Sequence, residues 1–306
     1  LTIALKKYGY LLDKIRIFWG VSDSKNLHFY CFYSRADHLS GTCLANFIYG
    51  NDIYAMVLMC GPSLVPDVWS LNEHLGIIAH EFSHAMCDAA YEQDQLEKLT
   101  LKFKSPNAIV AGWFLNEALA IVLGNGLFKE AISKTKVNLK RAEYCAKGFA
   151  PALYDLVKCY FDNSKTIDEY FIESAVKIFD KVYPNGYTDP NIYLYHVYAI
   201  YPDDIKEHEI ISKLSKKTIV SSFYYTPFSK LTNNKVKDVR DANSTIMVIF
   251  RDKKQLKMLN NLLPPFNDKR AVNLIHKNKR TYVLIKIDDK HSLEDCINEL
   301  FSRANN

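Results

Sequence analysis

The sequence lacks several features that mark common classes of function. Although its formal net charge is +5, it has no block of basic residues interleaved with aromatic ones, so no nucleic-acid surface is indicated. Its longest apolar stretch, near residues 109–123, is short and is interrupted by Asn116 and Glu117, which argues against a membrane span. Its seven cysteines form no Cys-x-x-Cys pair, which argues against a thiolate metal site or a disulfide framework.

The compartment is left open by the sequence. An odd number of cysteines leaves at least one thiol free, which favours a reducing compartment. The chain begins at Leu1 and not at Met, so a removed signal peptide is the open alternative. The oligomeric state is not indicated by any pattern.

Length and composition predict a folded chain of one large or two modest domains. Of the 306 residues, 48% are apolar, enough for a well-buried core. The polar and charged stretch over residues 229–243 is typical of a linker. We therefore expect an α+β protein with a main domain at residues 1–230 and a small α/β accessory module at residues 244–306. Strands near 246–250 and 282–287 and a final helix are expected in that module.

The most informative stretch is His80-Glu81-Phe82-Ser83-His84. On a helix, His80 and His84 project from one face about one turn apart, so both imidazoles can reach one metal ion. Glu81 can then reach the water bound to that metal. The pattern predicts a zinc site of the metalloprotease kind. The alternative is a pair of surface histidines on an ordinary amphipathic helix.

The surrounding residues independently predict that helix. Ser70 and Glu73 have the spacing of a capping box, and apolar residues recur at helical spacing over residues 75–89. The histidines fall at the edge of this apolar stripe, where a side chain can be half packed and still face a cleft.

A second segment, Gly112–Leu123, surrounds Glu117 with apolar residues on nearly every side of a predicted helix. An isolated buried carboxylate is costly and needs a positive partner. A zinc ion would be such a partner. The alternative is a salt-bridged or protonated acid in the core.

Together the two motifs resemble those of a known family. His-Glu-x-x-His followed by Trp-Phe-Leu-Asn-Glu-Ala-Leu-Ala resembles the gluzincin metallopeptidases, in particular the peptidase-MA-like group, over about residues 26–170. This resemblance implies that His80, His84 and Glu117 are zinc ligands and that Glu81 is the general base. It also implies a peptide or protein substrate and a catalytic domain with a mixed sheet, an edge strand, an active-site helix and a helical lower lobe.

The chain departs from the family pattern in two places. Ala118 stands where the group usually has glycine, and a long charged gap covers residues 91–104. No Gly-x-Met-Glu-Asn run precedes the active helix. That run carries the amine-binding glutamate of gluzincin aminopeptidases, so nothing here argues for trimming from the amino terminus.

The oxyanion-stabilising residue is the least defined part of the expected site. Tyr144-x-x-Lys147-Gly148 resembles the Tyr-x-Lys-Gly run of gluzincin aminopeptidases with the spacing off by one, which makes Tyr144 a candidate for steadying the tetrahedral intermediate. Simple packing of Tyr144 is the alternative. His196 or a neighbouring tyrosine is the reserve candidate, although core packing is favoured for these residues. Asp88 is a possible partner for a ligand imidazole, although a surface role is favoured.

Other local patterns give further expectations. Residues 15–19 and 27–33 are predicted strands. Residues 44–49 and 53–59 are a predicted hairpin with a two-residue turn, and by resemblance the second of these strands is the edge strand that pairs with substrate. An ordinary edge strand is the alternative.

Beyond Glu117, Gly124-Asn125-Gly126 predicts a helix stop. A charged amphipathic helix is then expected over residues 127–147. Cys87 is predicted to pack in the core rather than to join the metal's surroundings.

Three functions remain compatible with these residues. The main prediction is a zinc metallopeptidase. One alternative is a zinc hydrolase acting on a non-peptide amide or ester. The other is a catalytically silent gluzincin scaffold that binds a partner, against which the intact Glu81 argues.

Overall fold

The structure, a computed structural model, describes residues 2–35, 40–49, 51–61, 68–91, 95–139, 148–267 and 269–303. It has the mixed helix and strand content of the predicted α+β class. The chain forms two compact units, which we call unit 1 (Leu1–Lys102 and Phe114–Val182) and unit 2 (Phe103–Trp113 and Tyr183–Asn306).

The first part of the chain is mainly helical with one small sheet. Its elements are α1 (Thr2–Trp19), β1 (Asn26–Arg35), β2 (Ser40–Tyr49), β3 (Asp52–Gly61), α2 (Val68–Ala90), α3 (Gln95–Thr100), α4 (Ala108–Ala120), a π-helix (Ile121–Phe128), α5 (Lys129–Ser133), α6 (Phe149–Asp162) and α7 (Glu169–Val182).

The rest of the chain alternates strands and helices. Its elements are α8 (Pro190–Tyr193), β4 (His196–Tyr201), α9 (Glu207–Ser215), β5 (Ser222–Pro227), a 3-10 helix (Phe228–Lys230), α10 (Asn233–Asp241), β6 (Thr245–Phe250), a second 3-10 helix (Lys253–Leu259), β7 (Val272–Lys277), β8 (Arg280–Lys286) and α11 (Leu293–Ser302).

The sheet of unit 1 has the strand order β1-β3-β2. β3 pairs parallel with β1 and antiparallel with β2. Tyr49 pairs with Asp52, which confirms the predicted two-residue hairpin connection. The expectation that residues 53–59 form an edge strand for substrate is wrong, because β3 is central and both of its sides are already hydrogen-bonded.

The strand predicted from Ile15 to Trp19 is instead the last part of α1. Ile15 and Phe18 are fully buried, and Trp19 is 1% exposed. Its indole nitrogen donates a 3.0 Å hydrogen bond to Ser83 Oγ on α2. The β-branched and aromatic residues therefore form the packed face of a helix, because burial against unit 1 overrides their strand preference.

Gly9 gives a test of the α1 helix. A Cβ at Gly9 would meet no other atom within 4 Å, so Gly9→Ala removes backbone freedom from the unfolded chain without a clash. We expect this variant to unfold at higher urea concentration, with a gain of about 0.5–1 kcal/mol. Gly20→Ala is the matched control and should destabilise, because Gly20 has φ +75° and a Cβ there would lie 2.8 Å from Thr166 Cγ2. An equal change in both variants would contradict the prediction.

The sheet of unit 2 has the strand order β5-β4-β6-β8-β7. β4 pairs parallel with β5 and β6, β6 pairs parallel with β8, and only β7 pairs antiparallel among these described strands. Every residue of β6 is buried, as expected for a strand covered on both faces. α11 is the expected final helix, and Ser292 and Asp295 form a capping box at its start.

The predicted linker over residues 229–243 is largely helical. α10 occupies most of it and buries Val236 and Val239, because two apolar residues three positions apart give this otherwise polar helix an inward face. The boundary expected at residue 230 therefore lies elsewhere. β4 and β5, which precede it, belong to the same sheet as β6 and β8.

The helical run Ala108–Ser133 is long and apolar enough to cross a membrane, and it is the only one of this kind in the described part of the chain. Within the protein, 83% of its most apolar window is buried. This burial agrees with the expectation of no membrane span, because a buried core helix has the same length and composition.

Candidate metal centre

α2 carries two of the predicted ligands and is fixed by its apolar face. Ile78, Phe82 and Met86 are each at most 3% exposed. The side chains of His80 and His84 lie at the edge of this face, with 13% and 20% exposure.

The predicted start of this helix differs from the structure. α2 already includes Val68, so Ser70 lies inside the helix and not at the position before its first residue. The apolar periodicity placed the ligand helix correctly, whereas the capping pattern did not place its first turn.

α4 brings the third predicted ligand to the same point. His80 Nε2 lies 3.6 Å from Glu117 Oε1, and His84 Nε2 lies 3.2 Å from Glu117 Oε2. The two Nε2 atoms are 3.1 Å apart. Ligand atoms about 2.0–2.1 Å from a shared tetrahedral centre are separated by about 3.3–3.4 Å. The spacing of these three groups therefore fits three corners of a zinc coordination sphere.

The orientation of His84 also suits a cation. Its Nδ1 lies 3.1 Å from Asn116 Oδ1, an acceptor, so the proton of the neutral ring is assigned to Nδ1 and the lone pair to Nε2. That lone pair points at the Glu117 carboxylate and at His80 Nε2. Such an arrangement is repulsive without a shared cation. A proton on one ring relieves part of the repulsion, whereas a metal ion satisfies all three groups.

The pKa values of the three groups reflect this crowding. Burial, followed by the charge of His84, lowers the pKa of His80 to about 4. Burial alone would lower the pKa of His84, but hydrogen bonding and charge from Glu117 raise it above its ordinary value. Burial would raise the pKa of Glu117, but the hydrogen bond that the protonated His84 ring donates and the charges of both histidines lower it. Glu117 is thus held as a carboxylate beside two imidazoles.

Glu81 follows His80 on α2 but lies outside the group of three predicted ligands. It is only 6% exposed, and its charge contributes to the raised pKa of His84. Among the described residues, His80, His84 and Glu117 are the only His, Cys, Asp or Glu group close enough to hold one metal ion. Glu81 is not part of this group.

The helix that carries Glu117 does not end at Gly124 as predicted. Gly124-Asn125-Gly126 lies inside the π-helix Ile121–Phe128, and the helical run continues through α5 to Ser133. The helix expected over residues 127–147 ends there, and residues 140–147 lie outside the described part. Gly124, one of the glycines that suggested a turn, instead allows close packing against α2.

The other predicted site residues are dispersed. Tyr144 lies outside the described residues. Asp88 is exposed, and the acceptor at His84 is Asn116, which sequence reasoning missed although it directly precedes Glu117. Cys87 is 4% exposed and free, and it is not part of the ligand group, as expected.

His196, the reserve candidate, lies at the start of β4 in unit 2. Its ring contacts Trp113 and Tyr195 at centroid distances of 5.2 and 4.7 Å. Burial lowers its pKa to about 4. These contacts describe a packed histidine.

This pKa predicts an acid-sensitive contribution to stability. A folded-state pKa below the unfolded value of about 6.5 means that the unfolded chain binds the proton more tightly. The contribution of His196 is therefore complete above about pH 6.5 and is lost as the pH falls towards 4, by up to about 3 kcal/mol. In urea unfolding, His196→Phe should lose less stability than the wild type between pH 7 and about 4.5. Equal losses would contradict this assignment.

The chain matches no protein-family model, no curated protein and no solved structure.

Proposed function

We propose that this chain is a zinc-dependent metallopeptidase of the gluzincin type, with His80, His84 and Glu117 as zinc ligands and Glu81 as general base. One observation supports this most directly. Two imidazole nitrogens and a carboxylate, held on two separate helices, converge with spacings of 3.1–3.6 Å, next to a buried glutamate that is not a ligand.

The donor set favours zinc over harder cations. Two nitrogens and one carboxylate are a common catalytic zinc set, whereas magnesium and calcium prefer oxygen donors alone. Three protein ligands leave a coordination position for a water molecule. When bound in such a set, zinc lowers the pKa of water to about 7 and polarises a carbonyl group.

The chain's own residues supply the proton transfers. Glu81 directly follows His80, so its carboxylate is on the helix that holds both imidazoles. As a base it accepts the proton of the attacking water, and as an acid it returns that proton to the leaving amine. Asn116 holds the His84 ring through Nδ1, which keeps Nε2 directed at the site.

The test is zinc content combined with hydrolysis of a mixed peptide library. We expect one tightly bound zinc per chain and cleavage that a chelator abolishes and added zinc restores. Purified full-length chain without zinc affinity would refute the proposal.

The same experiment separates the alternatives. Bound zinc without any cleavage that depends on Glu81 would favour a binding module. Cleavage of small esters or non-peptide amides, with the peptide library left intact, would favour a different zinc hydrolase.

A further inference from the structure

The helix that carries Glu117 becomes a π-helix four residues later, over Ile121–Phe128. π-helical turns are rare and occur frequently at functional sites. All residues of this segment are buried except Asn125. The segment therefore lies inside unit 1 and is not a surface irregularity.

The π-helix contacts the backbone of a ligand residue. A Cβ at Gly124 would lie 2.8 Å from His80 Cβ and still closer to the backbone nitrogen and Cα of His80. Only glycine allows this approach. One turn earlier on α2, Gly76 faces the Gly124 carbonyl oxygen, and a Cβ there would meet it at an ordinary 3.7 Å. α2 and the π-helix thus touch at His80 itself.

An ion pair directly after the π-helix also joins it to α2. Lys129, the first residue of α5, pairs with Glu73 on α2. The lysine and the glutamate are 22% and 28% exposed, so the pair is partly shielded from water. The π-helix is therefore held against α2 at Gly124 and again directly after its C-terminal end.

Two buried polar atoms face this contact without a partner. Within the described residues, His80 Nδ1 and Asn125 Oδ1 each make no hydrogen bond of normal geometry. Asn125 directly follows Gly124, which packs on the His80 backbone, and both the Ala120 carbonyl and the Asn125 side chain lie near enough to His80 to interact with it. Leaving buried polar atoms unpaired is costly, and a hydrogen bond from His80 Nδ1–H to Asn125 Oδ1 would satisfy both atoms.

We propose that Asn125 is a positioning residue for His80: its side-chain oxygen accepts a hydrogen bond from Nδ1–H and thereby keeps Nε2 free to bind the metal. Asn116 does the same for His84, with a distance of 3.1 Å between the paired atoms. Gly124 supplies the close approach that brings Asn125 beside His80. The inference rests on the proposed zinc site.

The first experiment compares zinc affinity in three variants of the full-length chain by competition with a chromophoric chelator. Asn125→Leu has similar size but no acceptor, and we expect it to bind zinc about 10–100-fold more weakly. Asn125→Asp keeps an acceptor and should stay within about threefold of the wild type or bind more tightly. Asn116→Leu, which removes the partner of His84, should lose as much affinity as Asn125→Leu.

A purely structural role for Asn125 would give a different pattern. Replacing the amide by a buried charge would then not restore zinc affinity. Asn125→Leu with zinc affinity within threefold of the wild type would overturn the inference, as would Asn125→Asp binding no more tightly than Asn125→Leu.

The second experiment reads the ring directly and needs no bound metal. Nitrogen-15 NMR of the zinc-free chain near pH 8 should show His80 with its proton on Nδ1, and Asn125→Leu should lose that preference. A proton on Nε2 in the wild type overturns the inference even if zinc-dependent cleavage is present. The expected tautomer in a chain that binds no zinc would instead refute the proposed function and leave the Asn125 contact standing.

Discussion

Glu81→Gln is expected to lower peptide hydrolysis by about 10²–10⁴-fold, the range typical of a lost general base. The amide has nearly the same shape as the carboxylate but cannot accept the proton of water. Because Glu81 is not among the three grouped ligands, zinc content should remain at the wild-type level. The measurement is initial rate on the best library peptide together with metal analysis of the same sample.

Glu173→Gln provides the control for the same chemical change. Glu173 lies on α7, is 41% exposed at its side chain and pairs with Lys177. This variant should cleave at the wild-type rate. Activity of Glu81→Gln within tenfold of the wild type, or loss of its zinc, would contradict the role assigned to Glu81.

Gly124→Ala is expected to have the largest structural effect of any single methyl addition in the site. The new Cβ would meet the backbone of His80, which cannot rotate away as a side chain can. Overpacking of this kind costs about 1–3 kcal/mol, and a displaced His80 should weaken zinc binding at least about tenfold. Urea unfolding of the zinc-free chain and chelator competition measure the two effects separately.

Gly126→Ala is the matched comparison within the same π-helix. Its Cβ would lie 3.4 Å from the two methyl carbons of Leu139, flexible atoms that can give way. We expect its stability to change by less than about 1 kcal/mol, with zinc affinity retained. Similar losses of stability and zinc affinity in both variants would show that alanine is unfavourable anywhere in the π-helix. The specific contact between Gly124 and His80 would then be refuted.

The sequence was informative about the proposed ligands because the chemistry of a shared metal would fix their spacing. His80 and His84 had to be one helical turn apart, and the apolar stripe around them predicted the helix on which they lie. Glu117 was found through its apolar surroundings and through the family resemblance. The structure brings all three together, although Glu117 is more open than a buried acid, with 36% side-chain exposure.

The supporting residues could not be found in this way. Gly124 and Asn125 form a turn signal by local preference, and only the close approach of α2 shows that they continue a helix. Asn116 has no sequence pattern of its own, because its role depends on the His84 ring, which lies 32 positions earlier in the chain. In the same way, the apolar end of α1 resembled a strand until its burial face was known.

The linker prediction failed for a related reason. A short polar helix such as α10 needs only Val236 and Val239 to dock onto a sheet, and composition averages hide so small a face. Tertiary contacts, not local preference, decide such segments.

Cys87 provides a built-in reporter of how firmly the ligand helix is held. Burial raises the pKa of its thiol well above the ordinary value, so alkylating reagents, which attack the thiolate, reach it only when α2 opens. Exposed Cys159 reacts without such opening and sets the reference rate. Alkylation of the two sulfurs can be followed by mass spectrometry with and without zinc. The ratio of the Cys87 rate to the Cys159 rate then measures how often α2 opens.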